Sequence, residues 1–340
     1  MFSFLYLDFN QVVMPQQRTS LSFKRDLPIV ILYSFLFGYL VNRFTSRLTP
    51  IDYQRNISTL AANFFNRPQS SSNAILSTRT LIIYVYGETH ASAEENLVFF
   101  IRAAVRSSHD ADYYFILQQI KNKVPDEKKL PPLPSNAQYI QHEDKCFDLG
   151  SIGWLLSTGR IDRTKYKYFV FLNSSVRGPF IVSYHNDPVW FRIFTRRLTE
   201  YVRLVGCTFN CDPSPHVQSY LWAMNGNTLD FLLNSTKVFT CHESLHYAIN
   251  DGEIAASRAI FQAGFSLDSL MTKYRDLDLR ANFMIKCPYR THPTPDRGVD
   301  GITLDPYEVV FVKIKAESHL FRHNLKRVHA YGNWTGASTQ

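Results

Sequence analysis

Residues 167–180 read K-Y-F-V-F-L-N-S-S-V-R-G-P-F, an apolar run that passes into a polar cluster and then into a turn. The apolar half predicts a buried strand over Tyr168–Leu172. In open α/β sheets, ligands bind where the carboxyl ends of such strands give way to loops. A buried strand that merely ends in a turn is the simpler interpretation of the same stretch. Four side chains at this point suit an oxygen-rich, anionic ligand: Asn173, Ser174, Ser175 and Arg177.

Apolar runs of the same kind recur along the chain and predict further strands. Residues 80–86 read T-L-I-I-Y-V-Y, which is typical of a strand buried on both faces. The other predicted strands are Tyr113–Leu117, Ala137–Ile140, Val202–Cys207 and Tyr307–Ile314.

Helical patterns alternate with these strands. A capping box at Ser92 and Glu95 opens the first helix. Phe147–Ser157 is a second, and a third begins at Asp187 with a buried stripe that extends to Val202. A fourth is capped by Asp251 and runs through Gln262 to Gly264. This alternation predicts an α/β fold with a mixed, mostly parallel sheet flanked by helices.

The composition fits a folded domain with a large core. The chain has 340 residues, of which 45% are hydrophobic and 14% aromatic. This length suits one large α/β domain or two small ones. The net charge is +8, but the basic residues are scattered rather than grouped in a block. We therefore expect no nucleic-acid partner.

The N-terminal region predicts a membrane anchor. Residues 27–41 carry no charge, but this run is shorter than the roughly 20 residues of a spanning helix. Extension to Phe44 requires Arg43 to snorkel to the interface, and a buried core helix is the alternative. The predicted organisation is a cytoplasmic tail (1–26), a transmembrane anchor (27–44), a stem (45–78), a globular domain (79–320) and a C-terminal tail (321–340).

Cysteines and glycosylation sequons favour a lumenal setting. All five cysteines and the four Asn-x-Ser/Thr sequons follow the predicted anchor. Both features are typical of proteins that face an oxidising compartment. We expect a single-pass membrane protein that faces the Golgi or ER lumen, with at least one unpaired thiol if no bridge joins two chains.

Six segments in register carry a family resemblance. They are F-L-N-S-S-V-R-G-P-F (171–180), V-R-L-V-G-C-T-F-N-C (202–211), H-V-Q-S-Y (216–220), G-E-I-A-A-S-R (252–258), G-F-S-L-D-S-L (264–270) and D-P-Y-E-V-V-F-V-K (305–313). Together they resemble glycosyltransferases related to rhamnan synthesis protein F, which have a GT-A-like, Rossmann-like nucleotide-sugar fold. The resemblance covers roughly residues 80–315.

The resemblance implies a nucleotide-sugar donor and a glycan or protein acceptor. The donor would lie at the ends of the first strands, at Tyr86, Gly87 and Glu88. Family members that use a metal carry Asp-x-Asp after the fourth strand, where this chain has Asn173-Ser174-Ser175. Asn173 and Ser175 are weak ligands for Mn²⁺ or Mg²⁺. Three cations are candidates to neutralise the diphosphate instead: Arg177, Arg258 and Lys313.

Catalysis by such an enzyme needs a base near the acceptor hydroxyl if the anomeric centre inverts. Glu253 is the candidate base, although an acidic residue early in a helix also favours the helix dipole. His216 is a second catalytic candidate, and Gln218 a donor contact, although a lone histidine beside an apolar strand is more often structural.

Two other functions fit parts of the sequence. His242-Glu243-Ser-Leu-His246 matches the H-E-x-x-H pattern of zinc proteases, in which two histidines share a helix face and the glutamate activates water. The metzincin extension is missing. The absent Asp-x-Asp also allows a non-catalytic sugar-binding protein on the same fold.

Overall fold

In the computed structural model, the central sheet is built around β1 (Thr80–Tyr86), all of whose residues are buried. β2 (Ala111–Gln118) and β4 (Tyr168–Asn173) pair with it in parallel, one on each side. A strand enclosed in this way must be apolar on both faces, which explains its continuous apolar run. The structure describes residues 78–120, 123, 125–142, 146–281, 287, 292–314 and 322–336. All of them belong to one compact unit.

Four more strands complete this sheet: β3 (Ala137–His142), β6 (Val202–Gly206), β9 (Leu221–Asn225) and β10 (Ser266–Ser269). The strand order is β10-β6-β9-β4-β1-β2-β3. β9 is antiparallel to β4 and β6, and the other pairings are parallel. The predicted mixed, mostly parallel sheet is confirmed.

Two short ribbons lie beside the main sheet. β5 (Val176–Arg177) pairs with β11 (Val312–Lys313), and β7 (Phe209–Asn210) pairs with β8 (His216–Val217). The first ribbon matters for the site, because it brings Lys313 next to the end of β4.

Helices flank the sheet. They are α1 (Ala93–Ala104), α2 (Asp148–Ser157), α3 (Arg192–Thr195), α4 (Gly226–Ser235), α5 (Leu245–Tyr247), α6 (Ala255–Gln262), α7 (Pro306–Val309) and α8 (Arg322–Thr335). A π-helical segment, Ala248–Ile254, joins α5 to α6. The core forms where these helices meet the sheet. For example, the Phe100 ring of α1 lies 5.0 Å from that of Tyr84 and 5.6 Å from that of Trp190.

The long helix predicted from Asp187 is wrong. Only the four residues of α3 form an α-helix there. Phe191 and Phe194 are buried as predicted, but Val202 begins β6. The Thr199 hydroxyl accepts a hydrogen bond from the Val202 amide at 2.8 Å. This turn ends the helical path, so that the next residues can pair in the sheet.

The helix predicted from Asp251 begins earlier than expected. Ser244 caps α5, accepting a hydrogen bond from the Tyr247 amide at 3.4 Å. The helical path then continues through the π-helical segment, so Asp251 lies inside it. Its predicted end is confirmed, since Gly264 follows with a φ of 94°, a conformation that favours glycine.

The predicted strand over Tyr307–Ile314 is mostly wrong. The Asp305 carboxylate accepts a hydrogen bond from the Tyr307 amide at 2.9 Å, and Pro306 follows at the first helical position. This Asp-Pro pair starts α7, which leaves only β11 as strand.

Two disulfides join distant parts of the chain. Cys146 is bonded to Cys241, and Cys211 to Cys287. Cys207 is free and buried. The expected unpaired thiol is therefore present.

The predicted tail, anchor and stem (1–26, 27–44 and 45–78) lie almost wholly outside the described residues. Among the helices that the structure does describe, none is long and apolar enough to cross a membrane. Residues 322–335, predicted as part of a C-terminal tail, form α8, whose Val328 is fully buried.

Candidate functional site

The strand order creates a crevice beside β1. After β1 the chain moves to β2 and β3 on one side, and then crosses to β4 on the other. Loops that leave the carboxyl ends of β1 and β4 therefore diverge, and ligands of open α/β sheets bind at such switch points. A cavity of about 980 Å³ lies here. Its walls come from the ends of β1, β2 and β4, the start of α2, and the segment from His242 to Glu253.

The polar cluster after β4 lines this cavity, as expected for Asn173, Ser174 and Ser175. The Asn173 side-chain oxygen accepts hydrogen bonds from the Ser175 amide at 3.0 Å and from its hydroxyl at 2.5 Å. The Ser174 hydroxyl donates to the carbonyl oxygen of Gly87 at 3.2 Å. The cluster is thus a fixed turn that joins the ends of β4 and β1.

Asp148, the first residue of α2, also lines the cavity. Its Oδ2 accepts a hydrogen bond from the Asn173 side-chain amide at 2.6 Å. Burial raises the pKa of this carboxyl to about 6, while the Asn173 hydrogen bond and the positive charge of Lys313 act in the opposite direction. An aspartate with a pKa this close to neutrality in a crevice is a functional-site candidate.

Glu253 lies in the same cavity, on the π-helical segment. Its Oε1 accepts a hydrogen bond from the Ser219 amide at 2.6 Å and stands 3.9 Å from His216 Nε2. His216 is buried, and its Nδ1 lies 2.6 Å from the Ser214 carbonyl oxygen. The structure therefore brings Glu253 and His216 together, with only Glu253 on the cavity surface.

Lys313 supplies positive charge to the cavity. It lies on β11, opposite Val176, and lines the cavity at the end of β4. Its charge acts on the Asp148 carboxyl, and that carboxyl is also affected by the charge of Glu253. Two carboxylates and an ammonium group therefore interact within one crevice.

Arg177 is placed away from the cavity lining. Its side chain is fully buried, where its Nη1 contacts the Glu95 carboxylate at 2.7 Å and its Nε donates to the Asn96 side-chain oxygen at 2.8 Å. These contacts tie β5 to α1 and give the side chain a structural role.

The other residues predicted to contact the nucleotide sugar also differ in whether they line the cavity. Gly87 lines the cavity. Tyr86 is buried in the core, and Glu88 forms an ion pair with Lys123 at 2.6 Å. Gln218 is buried, and its side-chain oxygen accepts hydrogen bonds from two threonine hydroxyls. Arg258 is exposed on α6, outside the cavity lining.

The H-E-x-x-H stretch lacks the geometry of a zinc protease. α5 begins at Leu245, so His242 and Glu243 precede the helix that contains His246. His242 Nε2 lies 3.1 Å from the Lys237 carbonyl oxygen, whereas the His246 ring contacts the side chain of Asn250. The two histidines do not share a helix face, which contradicts the requirement of that motif.

The two residues predicted to bind a metal are hydrogen-bonded to each other. The Ser175 hydroxyl donates to the Asn173 side-chain oxygen. Over the described ranges, no group of three or more His, Cys, Asp and Glu side chains is arranged to hold a metal ion.

Sequence reasoning missed Asp148 as a site residue, although it placed the helix correctly. The one available signal was an acidic residue at the start of a helix, which is also what the helix dipole favours in any exposed helix. Its contact with Asn173 depends on how β4 and α2 pack, and 25 residues separate the two along the chain.

The chain resembles known proteins at the level of structure only. No family model matches the chain, and no curated protein matches it. Among solved structures, it is similar to a mannosyltransferase from Pyrobaculum calidifontis in complex with GDP-Man and Mn²⁺, at 10% identity and a TM-score of 0.35. The match covers 64% of this chain and 62% of that one, less than two thirds of each.

Proposed function

We propose that the chain is a glycosyltransferase that takes a sugar from a nucleotide-sugar donor and transfers it to a glycan or protein hydroxyl. The observation that carries this proposal is the cavity at the switch point between β1 and β4. Its volume of about 980 Å³ is at the upper end of the range for small-molecule sites, about 300–1,000 Å³, and suits a ligand as large as a nucleotide sugar.

The lining residues suit the parts of such a donor. Gly87 lines the cavity, and a Cβ there would crowd the side chains of Gln118 and Ile120 at 3.2 Å. The Lys313 ammonium is the proposed partner of the diphosphate. The proposal contains no metal-dependent step, and a divalent cation, if bound, would add to the positive charge of Lys313 at the diphosphate.

Glu253 and His216 stay part of the proposal, as do the single-pass anchor and the Golgi or ER location. Within it, the Glu253 carboxylate accepts hydrogen bonds at the cavity wall, and His216 lies behind it with its Nε2 3.9 Å from Glu253 Oε1. The non-catalytic alternative would share the donor site but release no product.

A thermal-shift screen against a panel of nucleotide sugars, with and without Mn²⁺, tests the proposal. We expect at least one donor to raise the melting temperature, and the Lys313→Met variant to lose that shift. Lys129→Met is the matched control, because Lys129 is 80% exposed and outside the cavity. The absence of any shift across the panel would contradict the proposal.

A further inference from the structure

We infer that Asp148 is the base that removes the acceptor proton during sugar transfer, while Glu253 positions the acceptor. This assignment rests on the proposed function and gives the two carboxylates of the cavity different roles.

The geometry of Asp148 is that of an anchored base with one open oxygen. Its Oδ2 is held by the Asn173 amide at 2.6 Å, which fixes the carboxyl group on the first turn of α2. Its Oδ1 makes no hydrogen bond to any described residue, and the residue lines the cavity. One oxygen is therefore available to an acceptor hydroxyl, and the other keeps the group in place.

Glu253 is held in a way that suits an acceptor of hydrogen bonds. Its Oε1 faces both the Ser219 amide, at 2.6 Å, and His216 Nε2, at 3.9 Å. The Ser219 amide fixes one oxygen of this carboxylate at the cavity wall, where the group can orient an acceptor hydroxyl.

The surroundings of Asp148 favour proton uptake near neutral pH. Burial is the main cause of its raised pKa, the Glu253 charge adds to the effect, and Lys313 opposes it. Tyr84 of β1 also interacts electrostatically with this carboxyl, and His90 and His242 line the same cavity. A general base works best when its pKa lies near the working pH.

The step balances as a single displacement. Asp148 Oδ1 takes the proton of the acceptor hydroxyl, and the acceptor oxygen bonds to the anomeric carbon. The bond from that carbon to the terminal phosphate oxygen of the nucleotide breaks, and its electron pair stays on the phosphate. The Lys313 ammonium stabilises the charge that develops there. The configuration of the sugar inverts.

The test measures the pH dependence of turnover for the wild type, Asp148→Asn, Asp148→Glu and Glu253→Gln. The substrate is the nucleotide sugar that binds in the thermal-shift screen, and release of nucleoside diphosphate is followed, with water as the acceptor. We expect wild-type kcat/KM to fall as the pH is lowered through about 6. Asp148→Asn should lower kcat by about 10²–10⁴-fold with an unchanged donor Kd. The fall of kcat/KM at low pH is the acid limb of the profile. Asp148→Glu should restore this limb in part, and Glu253→Gln should keep it.

Two results would overturn the assignment alone: an acid limb that persists in Asp148→Asn, or a limb lost in Glu253→Gln. Donor binding without any release of nucleoside diphosphate by the wild type would instead favour the non-catalytic alternative and remove the proposed transferase activity together with the assignment. Failure of every nucleotide sugar to bind the wild type would instead remove the proposed function, and the base assignment with it. Circular dichroism of each variant reports whether it is folded.

Discussion

Asp148→Asn removes a carboxylate that the fold buries beside Asn173. The pKa of Asp148 is raised from 3.8 to about 6, a difference of about 2 units. Because one unit corresponds to about 1.4 kcal/mol, ionised Asp148 costs the folded state about 3 kcal/mol. The asparagine oxygen can still accept the Asn173 hydrogen bond. Loss of the charge at the α2 N-terminus offsets about 0.5 kcal/mol of the gain.

The sign follows from linkage between protonation and folding. Below about pH 3, the carboxyl is protonated in both the folded and the unfolded state, and its cost disappears. As the pH rises from about 4 to about 6, the unfolded state ionises first, so the wild type loses stability that the variant keeps. We therefore expect Asp148→Asn to be more stable than the wild type by about 2.5 kcal/mol at pH 7.5, and by only about 0.5 kcal/mol at pH 4.

Urea unfolding of both proteins at pH 4 and pH 7.5, with the disulfides intact, measures this difference. Asp162→Asn is a control of opposite sign, because hydrogen bonds from Thr164 lower the pKa of Asp162. A variant at Asp148 that is no more stable than the wild type at pH 7.5 would refute the reasoning. A gain in stability together with a loss of turnover is the expected signature of a functional buried charge.

Three further changes test other parts of the structure. Replacing Cys146 and Cys241 by serine opens a link between residues 95 apart and should lower the free energy of unfolding by about 4 kcal/mol in urea titrations. Gly206→Ala would place a Cβ 2.3 Å from a Val217 methyl group and should cost about 2 kcal/mol by the same assay; wild-type stability would contradict that packing. Arg177→Met should cost about 3 kcal/mol without changing the donor Kd measured by calorimetry, whereas a weaker donor Kd would support the original donor-binding prediction.

Local patterns predicted the sheet and the position of the crevice. The uninterrupted apolar runs that became β1 and β4 have no other use than burial on both faces, and the polar cluster after β4 marks the end of the strand. These features are encoded within a few neighbouring residues. The position of the cavity could be predicted as well, because the cluster at the end of β4 lines it.

Predictions failed where tertiary contacts compete with local signals. The hydrogen bond from the Val202 amide to the Thr199 hydroxyl ends the helical path after Phe194, and Val202 begins β6. Arg177 lies two residues after Ser175, yet its ion-pair partner Glu95 lies 82 residues earlier in the chain. No local pattern records that pairing. Asp148 was missed for the same reason, since only the packing of α2 against β4 brings it to Asn173.

The central claim is that the cavity between the ends of β1 and β4 binds the diphosphate of a nucleotide sugar beside Lys313. Isothermal titration calorimetry of the wild type, Lys313→Met and Lys129→Met with the same nucleotide sugar tests it most directly. Loss of one charge-assisted contact, worth about 1.5–3 kcal/mol, should weaken the Kd of Lys313→Met by roughly 10–100-fold and leave Lys129→Met unchanged. Equal affinity in all three proteins, or no binding by the wild type, would contradict the account.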